Sequence, residues 1–223
     1  MNTNTPTSIG TRRAPGRRLA HMSLYGKYVL PRILDLAMRG EDLAAVRAAL
    51  VPRAVGTTLE LGIGSGLNLR HYSPKVTRLY GVDPSLELQK LARGRAPAGL
   101  ALEFLTQSAA DPLPLADRSV DTVVVTWSLC SIPDPAAALR NARRVLRPGG
   151  EFIFAEHGLA PDASVRAWQN RLNTVWGWIG GGCNLNRRID ALIRAAGFEL
   201  GELETSYLPG PRPLTYTYRG VAT

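Results

Sequence analysis

From residue 56 onward, short apolar runs alternate with longer amphipathic segments. The short runs predict seven strands, at residues 57–61, 78–83, 102–106, 120–127, 151–155, 198–203 and 214–221. The other segments predict helices near 41–50, 67–72, 85–93, 135–146 and 187–196. Strands separated by helices indicate an α/β fold with a mostly parallel sheet. The last two strands are joined by a link rich in Pro and Gly without a predicted helix, so they can pair antiparallel.

Size and composition are those of an ordinary globular protein. The chain has 223 residues, 45% hydrophobic and 20% charged, with a mean hydropathy of −0.06. These values exclude collagen-like, coiled-coil and wholly disordered chains, and no apolar run approaches the ~18 residues that span a bilayer. With the two cysteines Cys130 and Cys183 and three histidines, neither a disulfide scaffold nor a metal site is predicted.

Positive charge is concentrated at the N-terminus. Residues 1–40 hold seven Lys or Arg and one Asp (7 − 1 = +6), which leaves +3 of the total +9 for the other 183 residues. Residues 1–22 are predicted to be a disordered basic tail, a solvated arm with anionic membrane or nucleic acid as alternative partners. Residues 23–54 are predicted to form a helical lid or cap, with Pro31 interrupting it; an interface helix is the alternative. Without a signal sequence, the predicted location is cytoplasmic, with peripheral membrane contact as an option.

A glycine-rich turn follows the first strand of this α/β region. Gly62, Gly64 and Gly66 permit a tight turn and a close approach of backbone N–H groups to a ligand. Asp83 ends the next strand, where a carboxylate can bind both ribose hydroxyls of a nucleoside. The spacing is G-x-G-x-G, whereas a dinucleotide site needs G-x-G-x-x-G, so an NAD-dependent oxidoreductase is disfavoured. Glu60, just before the turn, favours a ligand with a cationic end.

Four ordered motifs resemble those of the class I S-adenosylmethionine-dependent methyltransferases. They are ELGIGSG at 60–66, GVDPS at 81–85, LPLADRSVD at 113–121 and RRVLRPGG at 143–150. The resemblance covers roughly residues 55–222 and implies a methyltransferase domain at 55–223 with a Rossmann-like fold. That fold has a seven-stranded, mostly parallel sheet, an antiparallel last strand and helices on both faces.

The resemblance also implies roles for individual residues toward S-adenosylmethionine. The turn would surround the methionine part, and Asp83 would hold the ribose. Thr126 and Trp127 would form the floor of the site at the methyl-donor centre. Ser108 and Ala109 occupy the position where many members carry an acid for the adenine amino group; Asp111 is the nearest acid. Tyr25, Tyr28, His71 and Tyr72 are candidates for closing the pocket. The full donor set is Glu60, Gly62, Gly64, Ser65, Gly66, Asn68, Asp83, Pro84, Ser85, Ser108, Ala109, Thr126 and Trp127.

The methyl acceptor is indicated by segments outside these motifs. Cys130 follows the fourth strand, His157 ends the fifth, and an insertion at 159–186 carries three of the four tryptophans, which predicts an apolar lid or an interface belt. Methyl transfer mainly needs alignment and exclusion of water. A base is needed only if the acceptor must lose a proton, and His157 is the candidate for a base or an acceptor-orienting group. His157, Trp127 and Cys130 form the predicted catalytic set.

A narrower resemblance concerns the alkyl thiol methyltransferases of animal endoplasmic-reticulum and lipid-droplet membranes and their bacterial relatives. It is carried by residues 129–131, Glu156, His157, Trp176 and 181–187. It implies S-methylation of a small apolar thiol, with S-adenosylhomocysteine as the other product. N- or O-methylation of a phospholipid headgroup, quinone or phenol stays open, as does a non-catalytic S-adenosylmethionine-binding module. No stable nucleic-acid partner is expected, since no aromatic–basic platform is present.

Overall fold

The computed structural model describes residues 29–223. The predictions for the tail at 1–22, for residues 23–28 and for Tyr25 and Tyr28 lie outside the described residues. The helices are α1 (Leu30–Ala37), α2 (Glu41–Leu50), α3 (Leu86–Arg93), α4 (Pro135–Val145), α5 (Ala163–Ile179), α6 (Ile189–Ala195) and α7 (Arg212–Thr215). The strands are β1 (Gly56–Leu61), β2 (Val76–Val82), β3 (Leu102–Leu105), β4 (Val120–Thr126), β5 (Leu146–His157), β6 (Leu200–Tyr207) and β7 (Tyr216–Ala222).

The seven strands form one sheet in the order β3-β2-β1-β4-β5-β7-β6. The strands from β3 to β5 are parallel, and β7 runs antiparallel to both β5 and β6. The predicted α/β class, the seven strands and the antiparallel last strand are therefore confirmed. Within residues 29–223, no helix combines the length and apolar character needed to cross a bilayer.

Alternating side chains of the central strands supply two cores, one on each face of the sheet. Leu59, Val123 and Phe152 face one side, where α4, α5 and α6 cover them. Val124 and Ile153 face the other side, which α2 and α3 cover. Because both faces are buried, the central strands read as continuous apolar runs, as expected for parallel strands.

Three local predictions are corrected by the structure. Residues 67–72 form only a single 3-10 turn, Leu69–His71, because Gly66 is left-handed and Pro74 disfavours helix at the residue before it. The link between β6 and β7 does contain a helical turn, α7. Pro31 does not interrupt α1 but lies in its first turn, where the missing N–H costs nothing.

The topology places a ligand site at the carboxyl ends of the strands. The chain leaves β1 toward β2 and β3 on one side, and β4 begins the other half of the sheet. Parallel sheets open a crevice at such a reversal of strand order. Glu60, Asp83, Thr126 and His157 all lie at or just beyond these strand ends.

Candidate functional site

A cavity of about 690 Å³ lies at this edge of the sheet. Its walls come from the ends of β1, β2, β4 and β5, from α1 and α2, and from residues that follow α5. All residues of the predicted donor and catalytic sets except Gly66 line it. These are Glu60, Gly62, Gly64, Ser65, Asn68, Asp83, Pro84, Ser85, Ser108, Ala109, Thr126, Trp127, Cys130 and His157. His71 and Tyr72, predicted to close the pocket, do not line it.

The three glycines of the turn have different surroundings. All three have positive φ, +73° at Gly62, +54° at Gly64 and +79° at Gly66, which favours glycine at each. A Cβ at Gly62 would lie 2.2 Å from Ser128 Oγ, and one at Gly66 would lie 2.9 Å from Ala92. A Cβ at Gly64 would meet nothing closer than 3.9 Å. Gly64 thus leaves room for a ligand, whereas Gly66 allows the turn to pack on α3.

Asp83 is fixed by backbone donors at the end of β2. Its Oδ2 accepts a hydrogen bond from Gly64 N at 3.0 Å, and its Oδ1 accepts one from Ser85 N at 2.8 Å. Burial raises the pKa of Asp83, while these two hydrogen bonds oppose the rise. Each carboxylate oxygen retains a lone pair, so the side chain can accept from two ligand hydroxyls.

Glu60 is a buried carboxyl in the wall of the cavity. Its oxygens accept hydrogen bonds from Asn68 Nδ2 at 2.7 Å and from the Tyr72 hydroxyl at 2.8 Å. Asn68 Nδ2 also donates to Thr126 Oγ1 at 3.0 Å. Burial raises the pKa of Glu60 to about 7, although both hydrogen bonds favour the charged form. The group therefore changes charge near neutrality and responds to any cation placed beside it.

Arg47 of α2 is a cavity residue that the sequence reasoning missed. It is 4% exposed, donates from Nη1 to the carbonyl of Met38 at 3.0 Å, and stands 4.7 Å from the ring centroid of Trp127. Burial lowers its pKa to about 10, while the charge of Glu60 acts in the opposite direction. Its Nε is buried without a hydrogen-bond partner among the described residues. The cavity therefore contains a cation that can bind an anionic group of a ligand.

Trp127 has a strained backbone at the end of β4. Its φ is +48°, a conformation that a bulky residue rarely adopts and that costs roughly 1–3 kcal/mol. Its N–H donates to the carbonyl of Ala155 at 2.8 Å, so β5 fixes the position of the residue. Such strain concentrates at ligand sites, and Trp127 lines the cavity.

The end of the cavity beside α3 has no acidic side chain at positions 108 and 109. Ser108 and Ala109 line it, as do Pro84 and Ser85, but Asp111 does not. Asn141 Nδ2 donates to the carbonyl oxygens of both Ala109 and Asp111, which fixes the loop. Contacts with a ligand base at this end therefore have to come from Ser108 or from the backbone.

On the other side, the loop after β4 is held by a buried carboxyl. Glu156 accepts hydrogen bonds from the backbone N–H groups of Ser128 at 2.7 Å, Leu129 at 2.9 Å and Cys130 at 3.3 Å. Burial raises the pKa of Glu156 to about 8. Arg187 donates to the carbonyls of Leu129 and Ile132 on the same loop. This loop is therefore held in one shape from two sides.

A group of polarizable side chains lines the cavity next to that loop. Cys130, His157, Trp176 and Cys183 all face it. The neighbouring Cys130, His157 and Trp176 lower the pKa of the Cys183 thiol, and its burial opposes the change. His157 is 6% exposed, and its Nε2 lies 3.4 Å from the carbonyl of Pro213. The structure thus adds Cys183 to the predicted set and brings it next to His157.

An ion-pair network connects α1 to the glycine turn. Asp35, 6% exposed, pairs with Arg95 at 2.6 Å and with Arg39. Arg95 also donates to the carbonyl of Ser65 at 2.7 Å. Burial raises the pKa of Asp35, but hydrogen bonds from Arg95, Ser65 and Arg39 outweigh it and hold the pKa well below its usual range. The first helix is therefore fastened to the turn that lines the cavity.

Comparison with known proteins gives consistent matches. The family described as "Methyltransferase domain" matches residues 59–154. Thiol S-methyltransferase TMT1B of Rattus norvegicus is 37% identical over 161 residues, which are 70% of this chain and 64% of that protein. Thiol S-methyltransferase TMT1A of Homo sapiens is 33% identical over 170 residues, 72% of this chain and 68% of that protein. Phosphatidylethanolamine N-methyltransferase of Cereibacter sphaeroides is 34% identical over 136 residues, 59% of this chain and 66% of that protein.

Among solved structures, the methyltransferase in complex with the Haloferax volcanii Trm112 methyltransferase activator has the same fold. Its TM-score is 0.66 at 24% identity, covering 87% of this chain and 97% of that one. The chain spans slightly less than two thirds of the TMT1B proteins that it matches. The sequence motifs, the sheet order and these relatives agree, and the chain belongs to the class I S-adenosylmethionine-dependent methyltransferases.

Proposed function

We propose that this protein transfers a methyl group from S-adenosylmethionine to a small, largely apolar thiol. The observation that carries the proposal is the position of His157 and Cys183 in an apolar part of the same cavity that contains Asp83 and Glu60. Apolar walls suit an alkyl or aryl substituent, and His157 can take the thiol proton. The names of the TMT1A and TMT1B relatives support the same acceptor.

The donor side of the cavity fits S-adenosylmethionine. Two buried polar atoms there, Arg47 Nε and Asn68 Oδ1, have no hydrogen-bond partner among the described residues. Arg47 would hold the carboxylate of the methionine part, and the Glu60 carboxylate would face its cationic groups. Asp83 would accept both ribose hydroxyls, and Gly64 leaves the backbone open to the ligand. When bound, the donor supplies a methyl group on a positively charged sulfur.

The remaining work of the site is positioning and proton transfer. Trp127 and the loop held by Glu156 align the acceptor against the donor side and exclude water. His157 removes the proton from the acceptor thiol, because a thiolate is the stronger nucleophile. Cys183, which lines the same part of the cavity, packs beside the imidazole and limits its orientation toward the acceptor. S-adenosylhomocysteine and a thioether then leave through the open edge of the cavity.

N-methylation of a phospholipid headgroup is the second candidate function. The match to the Cereibacter sphaeroides protein, named for phosphatidylethanolamine, favours it. A panel assay with labelled S-adenosylmethionine separates the two, using alkyl and aryl thiols, phenols, catechols, quinols and phosphatidylethanolamine vesicles. We expect label in the thiols alone. Label in vesicles or phenols with the thiols inert contradicts thiol methylation, and donor binding without transfer to any acceptor indicates a non-catalytic binding module.

Donor affinity should depend on the charge of Glu60. Because its pKa is about 7 without ligand, and a bound cation favours its carboxylate, affinity for S-adenosylmethionine should rise about tenfold between about pH 6 and 8. In the protein without ligand, the folding stability changes with pH in the opposite direction. The folded-state pKa is raised, so the stability that Glu60 contributes at low pH is lost as pH rises through about 7.

Calorimetric titration at several pH values tests this prediction, with Glu60→Gln as the matched variant. The variant cannot ionise, so any pH dependence that remains in it belongs to the ligand or to other groups. We expect the difference between the two proteins to vary with pH as a single titration near 7. Parallel curves for Glu60→Gln and the unchanged protein would show that Glu60 does not sense the donor.

A further inference from the structure

The outer surface of α5 carries an apolar stripe. Trp168, Leu172, Val175 and Ile179 recur at intervals of four, three and four residues and are all exposed, so they lie on one face of the helix. Trp178, beside this stripe, is 78% exposed. The side chains that α5 buries, Val165 and Gln169 among them, occupy a neighbouring face. The helix therefore presents apolar side chains to the solvent in addition to those it packs on the sheet.

A second helix extends this surface. α1 exposes Val29, Ile33 and Leu36, the last of them 70% exposed. The two helices meet where α5 ends, since a Cβ on Gly181 would lie 3.3 Å from Leu30. Leu30 of α1 and Gly181 both line the cavity. We name this surface the apolar rim: Val29, Ile33, Leu36, Trp168, Leu172, Val175, Trp178 and Ile179.

Basic side chains outnumber acidic ones on the two helices of the apolar rim, although the exposed acids Glu41 and Asp42 follow α1. Helix α5 contains two arginines, Arg166 and Arg171, and no Asp or Glu. On α1, Arg32 and Arg39 are exposed, whereas the single acid, Asp35, is buried and paired. The sequence of residues 1–28, which leads into α1, has five Lys or Arg and no acid. An apolar surface bordered by cations complements a surface that is apolar inside and anionic outside.

We propose that the apolar rim binds the surface of a lipid bilayer that contains anionic lipids. The tryptophans and aliphatic side chains enter the headgroup region, where Trp is favoured, and the arginines contact lipid phosphates. Because the same helices line the cavity, its opening then faces the bilayer. This second part rests on the proposed function: an apolar thiol that partitions into the bilayer reaches His157 without crossing water.

Vesicle binding of the full chain tests the proposal without donor or acceptor, so its outcome is independent of the proposed reaction. Vesicles of phosphatidylcholine with and without phosphatidylserine are compared by co-sedimentation. The test variant is Trp178→Ser with Ile179→Ser, neither of which lines the cavity. The control is Val55→Ser with Leu203→Ser, which removes exposed apolar side chains from the residue before β1 and from the edge strand β6.

We expect the unchanged protein and the control to bind phosphatidylserine vesicles. The test variant should bind them with an affinity at least about tenfold lower. Circular dichroism and donor affinity should be the same in all three, which separates lost binding from lost folding. Equal vesicle binding by the test variant, or none by the unchanged protein, overturns the proposal. Self-association that the test variant abolishes, without vesicle binding, assigns the apolar rim to a second copy of the chain and also overturns it.

Discussion

Replacing His157 with glutamine should lower kcat for an alkyl thiol by about 100- to 1,000-fold at neutral pH, the usual contribution of a general base. A cysteine thiol has a pKa of about 8.5, and an alkyl thiol without peptide groups is a weaker acid still. It is therefore mostly protonated at pH 7 and depends on a base to become a nucleophile. Glutamine has a similar size and can donate to the carbonyl of Pro213, so the cavity wall should keep its shape. Donor affinity should stay unchanged.

The acidity of the acceptor separates a base from a structural residue. An aryl thiol is a stronger acid and is largely ionised at neutral pH, so His157→Gln should reduce its methylation only a few-fold. Raising the pH should restore the alkyl-thiol rate for the same reason. His71→Gln, at a histidine that does not line the cavity, is the matched control. Equal losses for both thiols, with a lower melting temperature, would show that His157 acts through the fold alone.

Replacing Asp83 with asparagine should weaken S-adenosylhomocysteine binding by about 100-fold, since hydrogen bonds to a charged group contribute about 1.5–3 kcal/mol each. The amide oxygen can keep one of the two backbone hydrogen bonds, from Gly64 or Ser85, so the turn should remain folded. Asp117→Asn, which changes an exposed acid paired with Arg144, controls for the loss of one negative charge. Isothermal titration measures the affinity, and thermal melting checks the fold.

A ligand without ribose hydroxyls completes this experiment. If Asp83 acts through those hydroxyls, the 2′,3′-dideoxy analogue of S-adenosylhomocysteine should bind Asp83→Asn and the unchanged protein equally well. A loss of affinity that persists with the analogue would place the effect of Asp83 in the shape of the turn. An affinity within about threefold of normal for S-adenosylhomocysteine itself would remove Asp83 from the site, because such a change is smaller than one charged hydrogen bond.

The sequence predicted the parts of this protein that depend on local chemistry and strand order. The turn from Gly62 to Gly66 and the carboxylate at Asp83 each follow a strand, and parallel strands bring such positions to one edge. The strand predicted at 120–127 has consecutive apolar residues at Val123, Val124 and Val125, because burial on both faces of a central strand selects apolar residues continuously. Neither inference needs distant contacts.

Other parts depend on packing that no local pattern encodes. Arg47 lies in an ordinary helical stretch, and it becomes a buried cation only because α2 covers the cavity next to Trp127. Gly66 looks like its two neighbouring glycines in the sequence, yet its space is taken by Ala92 of α3 rather than by the cavity. The predicted helix at 67–72 failed because left-handed Gly66 and Pro74 leave room for one turn only.

The ion pair between Asp35 and Arg95 gives the first helix a thermodynamic role beyond its position. Arg95 donates hydrogen bonds to Asp35 of α1 and to the carbonyl of Ser65. A change in the order of α1 therefore changes the turn that lines the donor side of the cavity. Coupling of this kind is reciprocal: by whatever factor a donor in the turn favours attachment of α1 to an external surface, that attachment favours the donor equally. An enzyme coupled in this way would bind its donor most tightly at the bilayer surface, which is also where an apolar acceptor is most concentrated.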